Sequence, residues 1–360
     1  MITTGLEILV FLFTLYQCFL WILIYSRATQ TDKRTSPEIQ FEPVTVVICA
    51  HKVAENMSQN LYSVLTQQYP HYEAVIINDG PDPDLQQLLR GIQEKFANIQ
   101  VIDHIKTSEG KKAALTKGIK SAKYEWILLT DSDCRPSSNR WIHEMMTKTQ
   151  NEKNIIIGFS PYDKKENLLN QFIRFEAVIN AIQYFSMARI GMPYMAVGRN
   201  MMYHKSIFKE EKLRTELTAG DDDLLINSQA NSSNTGICLN PDSFVFTEAK
   251  NSWKEYFFQR MRHYNVSNYY KFSSQVFLLS HFISFFGLWL CAILLFINGK
   301  ILIPLGCLIF YIGISSAIFA KNAIRLSAKD LVIRYAYLNV LYLLFLILQA
   351  PFLLIQRKSW

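Results

Sequence analysis

The 360-residue chain has no Cys-x-x-Cys pair, no Gly-x-Gly-x-x-Gly turn and no Walker loop. Its six cysteines are scattered: Cys18, Cys291 and Cys307 fall in apolar runs, while Cys49, Cys134 and Cys238 stand apart. Such usage excludes a disulfide framework and a thiolate zinc site, and fits reduced, structural thiols in the cytosol. Without a glycine-rich turn after the first strand, where Cys49-Ala50-His51-Lys52 stands instead, a phosphate ligand lacks a backbone cradle. A divalent cation on carboxylates is then the simplest source of neutralising charge. The amino terminus also lacks the basic start and small-residue cleavage site of a secretory leader. No basic stripe marks a soluble module, so the net charge of +7 gives no reason to expect a nucleic-acid partner.

Long apolar runs are what the chain has in excess. Half of its residues are hydrophobic, and its mean hydropathy of +0.07 is high for a wholly soluble protein. Residues 6–25 form a run long enough to cross a bilayer, with Glu7 and Gln17 as polar interruptions, and read as a retained anchor. Runs near 275–297, 301–320 and 335–355 follow at the other end. The organisation expected is an anchor over 1–27, a soluble domain over 28–270 and a membrane region with about three helices over 271–360. Lysines and arginines flank these runs: Arg27, Lys33 and Arg34, then Arg260, Arg262 and Lys271, then Lys321, Arg325 and Lys329. With four crossings all three clusters share one side, which puts the soluble domain in the cytoplasm, as for a protein of a cell inner membrane. Arg357 and Lys358 are the exception, and leave open a last segment lying partly in the interface.

From residue 43 onward, short apolar runs alternate with amphipathic stretches. Strands are expected at 44–50, 74–78, 99–104 and 125–130, with helices at 55–67, 84–96 and 111–122 between them. That alternation specifies βαβ units and a parallel sheet, whose ligands bind beyond the carboxyl ends of the strands. The rule separates three Asp-x-Asp pairs. Asp131 directly follows a strand, as does Asp79, so the pair Asp131 and Asp133 falls on the ligand edge. Asp82 and Asp84 lie in a Pro-Asp-Pro-Asp turn, where Asp84 reads as a helix N-cap. Asp221 to Asp223 form a third acidic cluster. Residues 166–190 read as an amphipathic helix, packed on the sheet or lying at a membrane surface.

Five segments in order resemble the inverting glycosyltransferases of family 2, the group that includes ceramide glucosyltransferase, hyaluronan synthase and cellulose synthase. They are 61–80 with Asp79 next to its end, Glu109-Gly110-Lys111-Lys112, Asp131-Ser132-Asp133, Gly220-Asp221-Asp222-Asp223, and Gln259-Arg260-Met261-Arg262-His263. The resemblance covers residues 43–270. It implies the α/β GT-A fold, a Rossmann-like mixed sheet, with transmembrane helices at both ends of the chain. It implies that Asp79 reads the nucleotide base, Lys111 (with Lys112 as the alternate) approaches the donor diphosphate, Asp131 faces the ribose and Asp133 binds Mg²⁺ or Mn²⁺. Arg199 and Asn200 resemble a segment lining the donor pocket. Asp222 aligns with the general base, and a base is needed because an acceptor hydroxyl must lose its proton as it attacks. Asp221 flanks it. Gln259 and Arg262 fall near the acceptor and the leaving diphosphate, where a planar guanidinium suits bidentate contact. His263 stands where many relatives have tryptophan.

The function implied is transfer of a sugar from a nucleoside-diphosphate donor, a UDP-sugar by preference, to a lipid or lipid-linked acceptor at the membrane. A processive polysaccharide synthase is the alternative; a nucleotidyltransferase and an inactive membrane scaffold are the rivals from other classes. A nucleotidyltransferase should show a glycine-rich basic loop after the first strand, which is missing here.

Overall fold

The computed structural model describes residues 2–30, 41–52, 56–80, 82–106, 110–150, 152–210 and 220–353. Lys33, Arg34, Arg357, Lys358 and the Asp221 side chain lie outside this description.

Helix α1 (Ile2–Phe19) continues through a wider turn at Leu20–Ile24 and a tighter one at Tyr25–Arg27. The chain then alternates β1 (Val44–Ala50), α2 (Met57–Leu65), β2 (Tyr72–Asp79), α3 (Pro83–Gln93), β3 (Ile99–His104), α4 (Lys112–Ser121) and β4 (Trp126–Asp131). These four strands are parallel neighbours, and β1 and β2 are buried along nearly their whole length. Continuous burial explains their unbroken Val/Ile runs, since helices cover both faces.

Beyond β4 come β5 (Cys134–Pro136), α5 (Trp141–Met146), β6 (Ile155–Ile157), α6 (Leu168–Arg189), β7 (Met201–His204), α7 (Asp221–Gln229), β8 (Thr235–Ile237) and β9 (Val245–Thr247). The sheet of seven strands runs β3-β2-β1-β4-β7-β6-β8, and β7 pairs antiparallel with both β4 and β6. The sheet is thus mixed, where the βαβ alternation by itself specified only parallel pairing. After α6 the chain returns from the far end of the sheet, so β7 enters in the opposite direction. A smaller correction concerns the turn before α3. Asp82, not Asp84, is its N-cap, with the Leu85 N–H donating to its carboxylate at 2.8 Å. Pro83 has no N–H to satisfy and takes the first helical position, which moves the cap two residues earlier than the spacing suggested.

Among the described residues, four helices are long and apolar enough to cross a membrane: α1 with its extension to Arg27, α9 (Phe272–Ile297), α10 (Leu302–Arg325) and α11 (Tyr335–Leu353) with the turn at Lys329–Arg334 before it. α8 (Trp253–Val266) joins the sheet domain to α9. Both polar interruptions of the first apolar run have partners. Buried Gln17 donates to the Ser284 hydroxyl at 2.8 Å and the His281 carbonyl at 3.1 Å, and Glu7 pairs with Lys300 at 3.3 Å. α6 is the layer between sheet and membrane helices. Its Phe172, Phe175 and Phe185 are fully buried, each contributing about 1.5–3 kcal/mol by leaving water.

Candidate active site

Strand register builds the first wall of the site. β1 is flanked by β2 and β4, with Ala50 opposite Asn78 and Cys49 opposite Asp131, so Asp79 and Asp131 end on one edge, either side of β1. Asp79 is buried, with Lys106 Nζ at 3.8 Å and His104 Nε2 at 4.0 Å. The Lys111 ammonium, just before α4, reaches Asp131 at 2.9 Å, whereas Lys112 is buried. Burial alone would raise the Asp131 carboxyl, but Lys111 and then Arg199 hold it below the usual carboxylate range. Arg199 donates from Nε to the Ser160 hydroxyl at 2.6 Å and lies over the Tyr162 ring at 5.0 Å. Burial works against its charge, yet Tyr162, Cys134 and Asp131 more than compensate and keep it cationic.

Asn200, next to Arg199, is not part of this wall. Its side chain is fully buried, accepts from the Trp141 indole at 3.0 Å and donates to the carbonyls of Phe159 at 2.7 Å and Ser243 at 2.9 Å. Both ends of the amide are taken up in the core, so it braces the turn that carries Arg199.

Asp133 is exposed and does not line the cleft that Asp131 opens into, and ligand atoms of Asp131, Asp133 and Cys134 lie within 4.8 Å of one another. The chemistry of this set fits a hard divalent cation held by two carboxylates. The Cys134 thiol does not compete for it. Burial, then Asp131 and Asp133, push the thiol well up, and it donates to Asp133 at 3.1 Å.

The second wall comes from α7 and α8. Asp222 is oriented by two backbone donors: Gly198 N–H to Oδ2 at 2.6 Å, and Asp223 N–H to Oδ1 at 2.9 Å. Gly198 has to be small, because a Cβ there would lie 2.7 Å from Asp222 Oδ2. Gly220, just before α7, has φ of +85°, and a Cβ on it would run into Val266 at the end of α8. The acidic turn and α8 are therefore packed as one unit. From α8, Gln259, Arg260, Arg262 and His263 face the same space as Asp222.

Sequence reasoning missed what locks α8 in place. Glu176, wholly buried in α6, pairs with Arg260 at 2.7 Å and accepts from the hydroxyls of Tyr256 at 2.5 Å and Tyr264 at 3.1 Å. Arg260 also lies over the Tyr264 ring at 4.7 Å. Burial opposes the guanidinium charge, but Glu176 first, then the two phenols, hold it well above its usual range. Burial and Glu176 likewise push both phenols up, so they remain donors. The available signal was a lone acid within the apolar stripe of the 166–190 helix. Only the fold shows that its partners come from 80 and 88 residues away.

Both walls line one cleft of about 430 Å³, into which Asp79, Lys111, Asp131, Arg199, Asp222, Gln259, Arg262 and His263 all open. Acids at the ends of parallel strands thus face a second acidic group across one cleft of an α/β domain. A mannosyltransferase from Pyrobaculum calidifontis, solved with GDP-Man and Mn²⁺, shares the fold at a TM-score of 0.61 and 13% identity, over 93% of this chain and 99% of that one. Residues 45–211 match the model of glycosyl transferase family 2. Residues 45–211 are therefore similar to a glycosyl transferase family 2 domain, and the chain shares the GT-A fold of that mannosyltransferase. Among curated relatives, the poly-beta-1,6-N-acetyl-D-glucosamine synthase of Staphylococcus epidermidis is 25% identical over 178 residues, 48% of this chain and 42% of that protein. That of Staphylococcus aureus is 28% identical over 112 residues, 30% of this chain and 27% of the relative. The chain thus matches less than half the length of these relatives.

Proposed function

We propose that the protein is a membrane-bound inverting transferase that moves one sugar from a nucleoside-diphosphate donor, a UDP-sugar by preference, to a lipid or lipid-linked acceptor. The catalytic domain would face the cytoplasm, as in a cell inner membrane. The observation that carries this reading is the shared cleft: strand-end carboxylates and the Asp222 wall face each other, and that wall is α8, whose chain passes through Ser267–Tyr269 into the apolar helix α9.

In this reading Asp79 holds the base, while Asp131 faces the ribose. Lys111, already paired with Asp131, and Arg199 behind it meet the diphosphate. Mg²⁺ or Mn²⁺, held by Asp133 with Asp131 beside it, would supply positive charge to the departing diphosphate. Asp222 takes the acceptor hydroxyl proton as that oxygen bonds to the anomeric carbon and the bond to diphosphate breaks on the opposite face. Its two backbone donors aim the carboxylate. Gln259 and Arg262 steady acceptor and leaving group, His263 offers a flat face to a sugar, and Asn200 supports Arg199 from the core. The presence of GDP-Man and Mn²⁺ in the mannosyltransferase of the same fold supports a nucleotide sugar and a divalent metal as the ligands.

A second reading, repeated transfer to a growing polymer, is favoured by the names of the staphylococcal relatives. One experiment tests both. The purified protein with Mn²⁺ is screened against nucleoside-diphosphate sugars, with membrane lipid as acceptor, and the products are analysed by mass. A lipid heavier by one sugar is the expected result. A ladder of sugar lengths would replace single transfer with polymerisation, and failure to bind any donor in the presence of metal would remove both readings.

A further inference from the structure

The fold encloses α6 almost completely. From Phe172 to Met187 every residue is buried except Ala177 and Asn180, and both of these open into the cleft. Positions 177, 180 and 184 share one face of the helix by their spacing, and Tyr184 lines the cleft with them. The Tyr184 hydroxyl donates to the Gly158 carbonyl at 3.2 Å, which ties this end of the face to the chain leaving β6. One turn before Asn180, Glu176 holds Arg260 and Tyr256 of α8, and these two line the cleft as well. The face thus forms a floor that joins the α8 wall to the sheet. No motif of the sequence pointed to it.

Four other polar side chains of α6 have protein partners. Asn170 donates to the Asp163 carbonyl at 2.8 Å, Gln171 accepts from the Tyr337 hydroxyl at 2.6 Å, Arg174 grips Asp330 with two nitrogens at 2.7 Å, and Glu176 is locked as described. The Asn180 amide has no hydrogen-bond partner among the described residues, and the space it faces is the cleft. Helix formation gives no reason for an amide there. Alanine is the better helix former, and Ala177 shows that the same face accepts a methyl group. An amide brings one acceptor oxygen and two N–H donors. In a binding cleft, a few such groups fix the orientation of the ligand.

We propose that Asn180 is a specificity residue of the acceptor end: its amide binds a hydroxyl next to the one that attacks, so the acceptor carries a sugar or polyol headgroup. A hydroxyl donates and accepts at once, as does an amide, and the two satisfy each other. An acceptor with one isolated hydroxyl has nothing left for Asn180 once Asp222 has engaged that group, and would close the cleft over an unpaired amide, which costs binding energy. A lipid phosphate calls for cations instead, and Arg260 on this side is already engaged by Glu176. The acceptor end is favoured over the donor end because Glu176, one turn away, ties this stretch of α6 to the α8 wall, whereas the donor carboxylates stand on the strand ends. The inference rests on the transferase reading and narrows its acceptor.

The test uses the full chain in phosphatidylcholine vesicles with Mn²⁺ and the nucleoside-diphosphate sugar that it binds. Two lipids with the same anchor are the probes: dioleoylglycerol, which has one hydroxyl, and its monoglucosyl derivative. Each is read as an acceptor and as a competitor of transfer to membrane lipid. The glucosyl lipid is expected to accept sugar or to compete, and dioleoylglycerol to do neither. Asn180→Ala should raise the KM or inhibition constant of the glucosyl lipid about tenfold, the worth of one or two neutral hydrogen bonds. Donor affinity by calorimetry and thermal unfolding should stay as they are. Ala177→Leu, a second variant that keeps the amide and adds bulk beside it, should weaken the glucosyl lipid in the same way. Equal use of the two lipids, a glucosyl lipid that neither accepts nor competes, or an Asn180→Ala variant with unchanged lipid preference would overturn the proposal. A loss of donor affinity as large as the loss of transfer would assign the amide to the donor sugar and overturn it too. Failure of the unsubstituted chain to bind any donor would instead remove the transferase reading itself.

Discussion

One wall of the cleft is made by neighbouring parallel strands, with Asp79 and Asp131 delivered to their places by register on either side of β1. The other is assembled from α7 and α8, far apart in sequence, and is held by Gly220 against Val266 and by Glu176 of α6 against Arg260, Tyr256 and Tyr264. The first wall inherits its precision from backbone hydrogen bonds that the whole sheet shares. The second depends on a few buried side chains, so a single substitution can displace it while leaving the first intact. Donor binding and group transfer should therefore be separable by mutation.

The sharpest separation is expected at Asp222. Asp222→Ala should lower turnover by about 10²- to 10⁴-fold, the usual worth of a positioned proton acceptor. Donor affinity, measured by calorimetry, should hardly change; turnover near the normal rate would take the base role from this residue.

Next is the lock on α8. Glu176→Ala leaves Arg260 as a buried charge without its counter-ion, and breaking such a pair typically costs about 3–5 kcal/mol. Thermal unfolding should show that loss, and transfer should fall more than donor binding. Equal losses in both would mean that the two walls are not independent.

Lys111→Ala acts on the first wall. Loss of one charge-assisted contact of about 1.5 kcal/mol should weaken donor binding roughly tenfold. The pH dependence changes as well. Because Lys111 and Arg199 depress the Asp131 carboxyl against the effect of burial, the stability it contributes is present above the unfolded value near 3.9 and is lost as pH falls through the lower folded value. Without Lys111 that loss should move to higher pH in an acid-unfolding titration. An unchanged acid limb would show that Arg199 alone holds the carboxylate.

The smallest effect belongs outside both walls. Lys165 pairs with Glu248 at 3.2 Å on the exposed surface, and Lys165→Ala should alter stability by no more than about 1 kcal/mol. A larger change in unfolding would mean that this surface is covered in the working protein.

How much of this was legible in the sequence follows the same division. The alternation of strands and helices over 43–130 was readable because each element carries its own period, and the strand-end positions of Asp79 and Asp131 came with it. The antiparallel entry of β7 was not, since strand direction depends on where a long excursion through α6 returns. Asp82 took the cap that the pattern assigned to Asp84, because proline chemistry sets that boundary locally. Asn200 matched a motif lining the donor pocket, yet its amide is used up by Trp141, Phe159 and Ser243, a fact of packing that no motif records.

By itself the sequence determined an α/β sheet domain between apolar helices, with acids at the strand ends, because hydrophobic period, charge clusters and short motifs are local properties. Tertiary structure alone decided that Gly198 aims Asp222, that Glu176 fastens α8, and that Gly220 packs the acidic turn on Val266. Each of these is a contact between residues distant in the chain, whose energy comes from burial and pairing that exist only once both partners are in place.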